Sequence, residues 1–170
     1  TSSLVGSEMC IRDSVPGVVG CGKAAELALA DMEERAEKER TLRDHLIGRV
    51  LNEIPYSRLN GDRERRLPSN ANFSFDHIEG ESILMSMNMA GICISTGSAC
   101  ASGSLDPSHV LLALGLPHET AHGSLRFSIP SDTTMEDIDH AVDVLRDTVE
   151  RLRSLSPLYD DFLRSQKGEA

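Results

Sequence analysis

An α/β fold, with helices packed on a small sheet, follows from three observations on the sequence. Short β-type runs alternate with segments of helical period. A long C-terminal segment carries one clean apolar stripe. Proline and glycine punctuate the joins between them.

From Val18 to about Ile54 there is no proline, and Leu27, Leu29, Met32, Leu42, Leu46, Ile47, Val50 and Leu51 recur at roughly helical spacing. Ala24, Ala25, Ala28 and Ala30 are strong helix formers. The reading is one long N-terminal helix over residues 15–54, kinked near Gly48. A helix of ~35 residues would be ~50 Å long, which suits a strut between two domains. Its middle, "DMEERAEKERTLRDH", is charged almost all round and reads as a solvated surface. Pro55 stops it.

"YSRLNG" reads as a short strand ending in an Asn60-Gly61 turn, and "DRERR" as an exposed loop. "SNANFSFDHI" reads as a strand with Phe73 and Phe75 on one face and Ser74 on the other. "ILMSMNMA" is a short helix whose three methionines fill the core rather than bind a metal. Ile92 to Ile94 reads as a brief buried strand. Pro107 suits the first turn of a helix, "SHVLLALG", that ends at Gly115. Leu125 to Ile129 is another strand. Thr133 and Glu136 have capping-box spacing for a final long helix, about Met135 to Leu155, with Ile138, Val142, Leu145, Val149 and Leu152 as its stripe. Pro157 stops that helix, and a short polar helical tail follows.

Composition narrows the function. At 170 residues the chain fits one domain or one domain plus an appendage. A net charge of −10 argues against nucleic acid or an anionic membrane surface as partner. No apolar run approaches the roughly 20 residues of a membrane span, and no secretory signal is visible. Cys10, Cys21, Cys93 and Cys100 form no C-x-x-C pair, so neither a zinc site nor a disulfide framework is expected, and a reducing, cytoplasmic setting is the default. Residues 1–14, "TSSLVGSEMCIRDS", have no clear period and resemble translated sequencing-adapter sequence. They read as a non-native segment, with a natural flexible terminus as the alternative, and Cys10 receives no role.

One feature resists a packing explanation. In "ISTGSACASGS", residues 94–104, Cys100 sits among glycine, serine and alanine. Such neighbours give a thiol mobility, solvent access and backbone N–H donors, which favour a thiolate. On residue chemistry alone Cys100 is either a reactive thiol or a small residue in an ordinary turn. Cys93, flanked by Ile92 and Ile94, and Cys21, on the long helix, read as inert structural cysteines.

The run "STGSACASGSLDPSHVLLALGL" resembles the active-site region of cysteine desulfurases of the NifS/IscS type, with mild departures at Thr96 and Ala101. "AHGSLRFSI", "LPSNANFSFDHIEGESILM" and "VPGVVGCGKAAELA" resemble further segments of that family, so the likeness covers about residues 15–165. It implies the small C-terminal domain of a fold-type I enzyme that depends on pyridoxal phosphate (PLP), with 15–54 as an interdomain helix and 55–170 as the domain that carries the cysteine loop, 95–104. The implied chemistry takes sulfur from L-cysteine, leaves L-alanine and places a persulfide on Cys100. The sulfur then passes to an iron–sulfur scaffold or another thiolation acceptor. Arg126 would clamp the substrate carboxylate through two parallel hydrogen bonds; a charge inside an apolar strand is otherwise uncommon. A homodimer is implied for the full-length enzyme. No resident metal is implied, Cys100 serving at most as a transient iron–sulfur ligand.

The family's Schiff-base lysine lies in an S-x-H-K segment, and the three lysines here, Lys23, Lys38 and Lys167, have no such context. The cofactor domain is therefore expected to be absent and this chain alone inactive, as a C-terminal fragment. A stand-alone persulfide carrier without cofactor chemistry is the main alternative. A related lyase or aminotransferase of the same fold is a weaker one, since neither needs a sulfur nucleophile. His109, His118, His122 and His140 receive no role, although His122 lies close to Arg126 in sequence.

Overall fold

The computed structural model describes residues 14–97 and 106–166. The chain divides into two compact units, residues 1–37 and 38–170.

In the first unit, helix α1 (Val15–Ala30) opens on Ser14, whose hydroxyl accepts a bond from the Gly17 N–H at 3.2 Å. No residue of α1 is buried, and Cys21 is exposed, which corrects the inert-core reading of that thiol. Helix α2 (Met32–Glu53) follows a break at Asp31, where the backbone leaves helical angles (φ −107°, ψ 6°). The single helix expected over 15–54 is thus two, and the break is not at Gly48. Gly48 costs a helix about 1 kcal/mol relative to alanine, but Leu46, Ile47 and Val50 beside it are fully buried and hold the helix there. No such burial supports the chain at Asp31.

The second unit contains the core. Strands β1 (Ser57–Leu59), β2 (Asn70–Phe75) and β3 (Ser124–Ser128) form an antiparallel sheet in the order β1-β2-β3. Phe73 pairs with Leu125 and Ala71 with Phe127, so these four side chains share one face. Onto them pack Leu42, Leu46, Ile47 and Val50 of α2, Ile83 and Met87 of helix α3 (Gly80–Met89), and Ile138, Val142, Leu145 and Val149 of helix α6 (Met135–Ser154). The stripe read from the sequence therefore faces the core, with Leu152 at its margin. Between these elements lie two short helices, α4 (His109–Ala113) and α5 (His118–His122), and helix α7 (Pro157–Gln166) ends the described chain.

Several local expectations change. Of the α3 methionines only Met87 is buried; Met85 and Met89 are 63% and 88% exposed, because positions two apart on a helix point to different sides. Residues 92–94 form no strand, and Cys93 is exposed rather than buried. Gly91 (φ +79°) ends α3, the Ile92 N–H bonds back to the Met87 carbonyl, and only Ser95 reaches the sheet. The α6 cap is one residue later than expected. Thr134 Oγ1 accepts from the Asp137 N–H at 3.1 Å, and Asp137 accepts from the Thr134 N–H at 2.9 Å.

Polar contacts fasten the unit at two places. Arg49 of α2 donates to Glu53, Asp139 and Asp143, and His45 lies 2.6 Å from Asp139, tying α2 to α6. Arg153, only 4% exposed, donates to the carbonyls of Pro55 (2.6 Å), Tyr56 (3.2 Å) and Asp76 (3.0 and 3.2 Å) and lies over the Tyr56 and Tyr159 rings. It ties the end of α6 to the start of β1 and the end of β2.

Candidate functional site

Strand alternation gives the sheet a second, polar face. Asn72 pairs with Arg126, Asn70 with Ser128 and Ser74 with Ser124, all opposite the aromatic face. This face forms one wall of a cleft of about 370 Å³, to which Asn60, Arg66, Asn72, Gly97, Leu111 and Arg126 contribute.

Arg126 is placed by its neighbours on both sides. Its backbone exchanges two hydrogen bonds with Ser95, N–H to carbonyl at 2.6 Å and carbonyl from N–H at 3.1 Å. Its side chain is exposed, and among the described residues no carboxylate pairs with it. A guanidinium held by a strand beside a cleft, with no carboxylate partner among the described residues, is suited to an incoming carboxylate.

The turn after β1 also lines the cleft. Gly61 takes φ +79°, which a side chain would strain. Asp62 then accepts from the N–H groups of Arg65 (2.8 Å) and Glu64 (2.9 Å), which hold its carboxyl below the usual carboxylate range. Arg66 donates to the Asp62 and Asn60 carbonyls, both at 2.7 Å, and so braces the turn. Burial, with a smaller push from the nearby Arg43 cation, lowers the Arg66 guanidinium below its ordinary value. Arg65, Arg66 and Arg126 against Asp62 leave the cleft positive in a chain of net charge −10.

Of the two site residues expected from sequence, Arg126 lines the cleft. Cys100 lies outside the described residues. Gly97, three residues before it in the sequence, is in the lining. Thr96 donates to Glu81 at 3.2 Å and the Ser95 hydroxyl to the Gly97 carbonyl at 2.9 Å, which fix the point where the cysteine loop leaves. His109 lines the cleft, whereas the exposed His122 does not; its ring stands edge-on to that of His118, 4.9 Å away. Among the described residues no three His, Cys, Asp or Glu groups are placed to hold a metal ion.

Lys38, the described lysine of the second unit, is not in the cleft lining. Lys23 pairs with Glu26, and Lys38 donates to the Ser131 carbonyl. Within the second unit the described residues therefore offer no lysine to anchor PLP covalently. Asn60, Asn72 and Arg66 were not anticipated. The alternation of "SNANFSF" puts Asn72 two residues from Ser74 on the polar face, and the Asn60-Gly61 turn marks the rim, so both signals were present.

The family described as Aminotransferase class-V matches residues 13–141. The chain belongs to the class-V aminotransferase family. Within it, the chain is similar to a protein named cysteine desulfurase IscS from Clostridium botulinum, 52% identical over 157 residues, covering 91% of this chain and 40% of the relative. It is 54% identical over 149 residues to a cysteine desulfurase from Nostoc sp., covering 88% of this chain and 37% of that one. Among solved structures, a NifS-like protein superposes with a TM-score of 0.70 at 27% identity, over 82% of this chain and 34% of the other. A NifS-like protein from Rickettsia africae, at 22% identity and a TM-score of 0.68, shares the fold. The chain thus spans about two-fifths of the length of these class-V relatives.

Proposed function

We propose that the chain serves cysteine desulfuration, with Arg126 binding the carboxylate of L-cysteine and Cys100 receiving its sulfur. The Arg126 guanidinium in the cleft, without a carboxylate partner among the described residues and anchored to the segment that leads into the cysteine loop, is the observation that carries this reading. Similarity to proteins named cysteine desulfurase supports it. A carrier without cofactor chemistry would need no carboxylate clamp, so the cleft favours the desulfurase.

In such an enzyme PLP, held by residues other than those described, would supply the electron sink for breaking the carbon–sulfur bond. The chain's own part is binding and sulfur capture. Arg126 gives two parallel N–H donors to the carboxylate and fixes the substrate's orientation. The Cys100 thiolate forms a bond to the substrate sulfur as the carbon–sulfur bond breaks, and the electron pair of that bond stays on carbon, which is protonated to give L-alanine. The resulting persulfide passes its outer sulfur to a thiol acceptor by exchange. An iron–sulfur scaffold or other thiolation partner as acceptor, a homodimer and a cytoplasmic setting belong to the same reading. Among the described residues no helix is long and apolar enough to cross a membrane.

The test places residues 15–170 in the Clostridium botulinum relative in place of its matching segment and supplies L-cysteine and PLP. Mass spectrometry is expected to find one added sulfur at Cys100 and alanine as product. Cys100→Ala abolishes transfer to an acceptor thiol. Arg126→Ala raises KM about 100-fold, the loss of a charge-assisted pair at about 2.7 kcal/mol. Full transfer by Cys100→Ala, or an unchanged KM in Arg126→Ala, refutes the assignments.

A further inference from the structure

The polar face of the sheet holds a second donor beside Arg126, and its orientation is set by the fold. Asn72 is in the middle strand. On its β1 side, Asn60 Nδ2 donates to Asn72 Oδ1 at 2.7 Å and to Ser74 Oγ at 2.8 Å, so both hydrogens of that amide are used. The Asn60 N–H also bonds the Asn72 carbonyl at 2.8 Å, which extends the β1–β2 pairing by one residue and fixes Asn60. Asn60 is 5% exposed and cannot turn to water. With its oxygen held toward β1, the Asn72 amide presents its NH2 group on the other side, toward β3.

That side carries Arg126, the direct cross-strand partner of Asn72. Facing residues of an antiparallel pair have Cβ atoms about 5 Å apart, so an amide and a guanidinium there can reach one carboxylate. Both line the cleft, and among the described residues the Asn72 Nδ2 has no partner. A carboxylate has about four acceptor sites and a bidentate arginine uses two, which leaves room for an amide N–H on one oxygen.

We propose that Asn72 is a second carboxylate-binding residue, donating through Nδ2 to the anion held by Arg126, and that Asn60 is its positioning residue. This rests on the reading of the cleft as the carboxylate site for L-cysteine. It adds a specificity element, since a neutral planar donor set at one angle favours the trigonal carboxylate over a spherical anion such as chloride. Asn60 Oδ1, buried without a partner among the described residues, is consistent with a device in which donor direction outweighs full satisfaction of the Asn60 amide.

The experiment is a side-chain NMR titration of the 170-residue chain labelled with 15N. S-methyl-L-cysteine, which keeps the amino acid but has no free thiol, is compared with S-methylcysteamine, which lacks the carboxylate. In the unaltered chain, the Arg126 Nε–H and Asn72 Nδ2–H2 signals are expected to move together with the carboxylate ligand and to stay fixed with the amine. Asn72→Ala should weaken binding about tenfold, as for a hydrogen bond to a charged group. Asn72→Asp should weaken it further by repulsion. Asn60→Asp accepts rather than donates, turns the Asn72 amide over, and should match Asn72→Ala while moving the Asn72 signals in the free chain. If Arg126 responds and Asn72→Ala binds as tightly as the unaltered chain, the Asn72 assignment is overturned and the Arg126 reading stands. If neither signal responds to the carboxylate, both fall.

Discussion

Replacing Arg153 with methionine tests how the end of α6 is held. The substitution keeps a stem of similar shape and removes the guanidinium. Three carbonyls, those of Pro55, Tyr56 and Asp76, lose their charged donor. The Tyr56 oxygen keeps a second bond from the Asp76 N–H at 3.0 Å, so it suffers least. Each remaining carbonyl costs about 1 kcal/mol net, within the range for hydrogen bonds. The contacts over Tyr56 and Tyr159, with the guanidinium 5.8 and 5.5 Å from the ring centres, contribute about 0.5–1 kcal/mol each. Burial works in the opposite direction, since it pushes this guanidinium below its ordinary value and no carboxylate pairs with it among the described residues. The net loss is about 3 kcal/mol, a fall in Tm of roughly 6–12 °C for a chain of this size. The assay is thermal and urea unfolding followed by circular dichroism, with Arg151→Met as control. Arg151 is exposed and, among the described residues, its side chain bonds only Ser86, at 3.1 Å, so its loss should stay within about 0.5 kcal/mol. If Arg153→Met unfolds together with the control, the three-carbonyl tie does not hold α6.

Acid stability should depend on Arg49. Hydrogen bonds from Arg49 hold Glu53 and Asp143 below the usual carboxylate range, and His45, with Arg49 adding, does the same for Asp139. Carboxyls with lower values when folded favour the folded chain above about pH 4, and that contribution fades as pH falls through 4 toward the folded values. Urea midpoints measured from pH 7 to pH 3 should drop less steeply in Arg49→Met; equal slopes would remove the ladder as the cause. Two glycines should respond in opposite directions. A Cβ at Gly123 would press on the Phe75 and Ile78 carbonyl oxygens, so Gly123→Ala should cost about 1–3 kcal/mol in the same unfolding assay. Gly48 has open space around it in mid-helix, so Gly48→Ala should gain about 0.5–1 kcal/mol; a loss there would contradict the continuous α2.

Period and punctuation carried much of the second unit. The stripe Ile138, Val142, Leu145 and Val149 buries as spaced, Phe73 and Phe75 share the core face, and Gly61 makes the turn that its Asn-Gly pair announces. What failed was local choice between near-equal options. Thr133/Glu136 and Thr134/Asp137 have the same capping spacing, and only the start of α6 at Met135 decides between them. The break at Asp31 lies in a charged run where no burial pattern marks one position over another. Two isoleucines flank Cys93 and suggest burial, yet no strand forms at 92–94 and the thiol is exposed. The cleft itself depends on register. Arg126 stood out as a charge in an apolar strand, but Asn72 gains meaning only once the strands pair and Asn60 closes on it from the other side.

The two backbone bonds between Ser95 and Arg126 also set a concentration. They hold Gly97 at the cleft, and a chain three residues longer reaches at most about 11 Å with its backbone and about 14 Å with a side-chain sulfur. One molecule in a sphere of that radius corresponds to about 0.1 M. For the proposed chemistry, a thiol at position 100 would meet bound substrate as if the cleft were bathed in thiol at about a tenth molar, far above what a free thiol partner reaches by diffusion. A glycine inserted after Gly97 enlarges the sphere and dilutes the thiol without touching either residue.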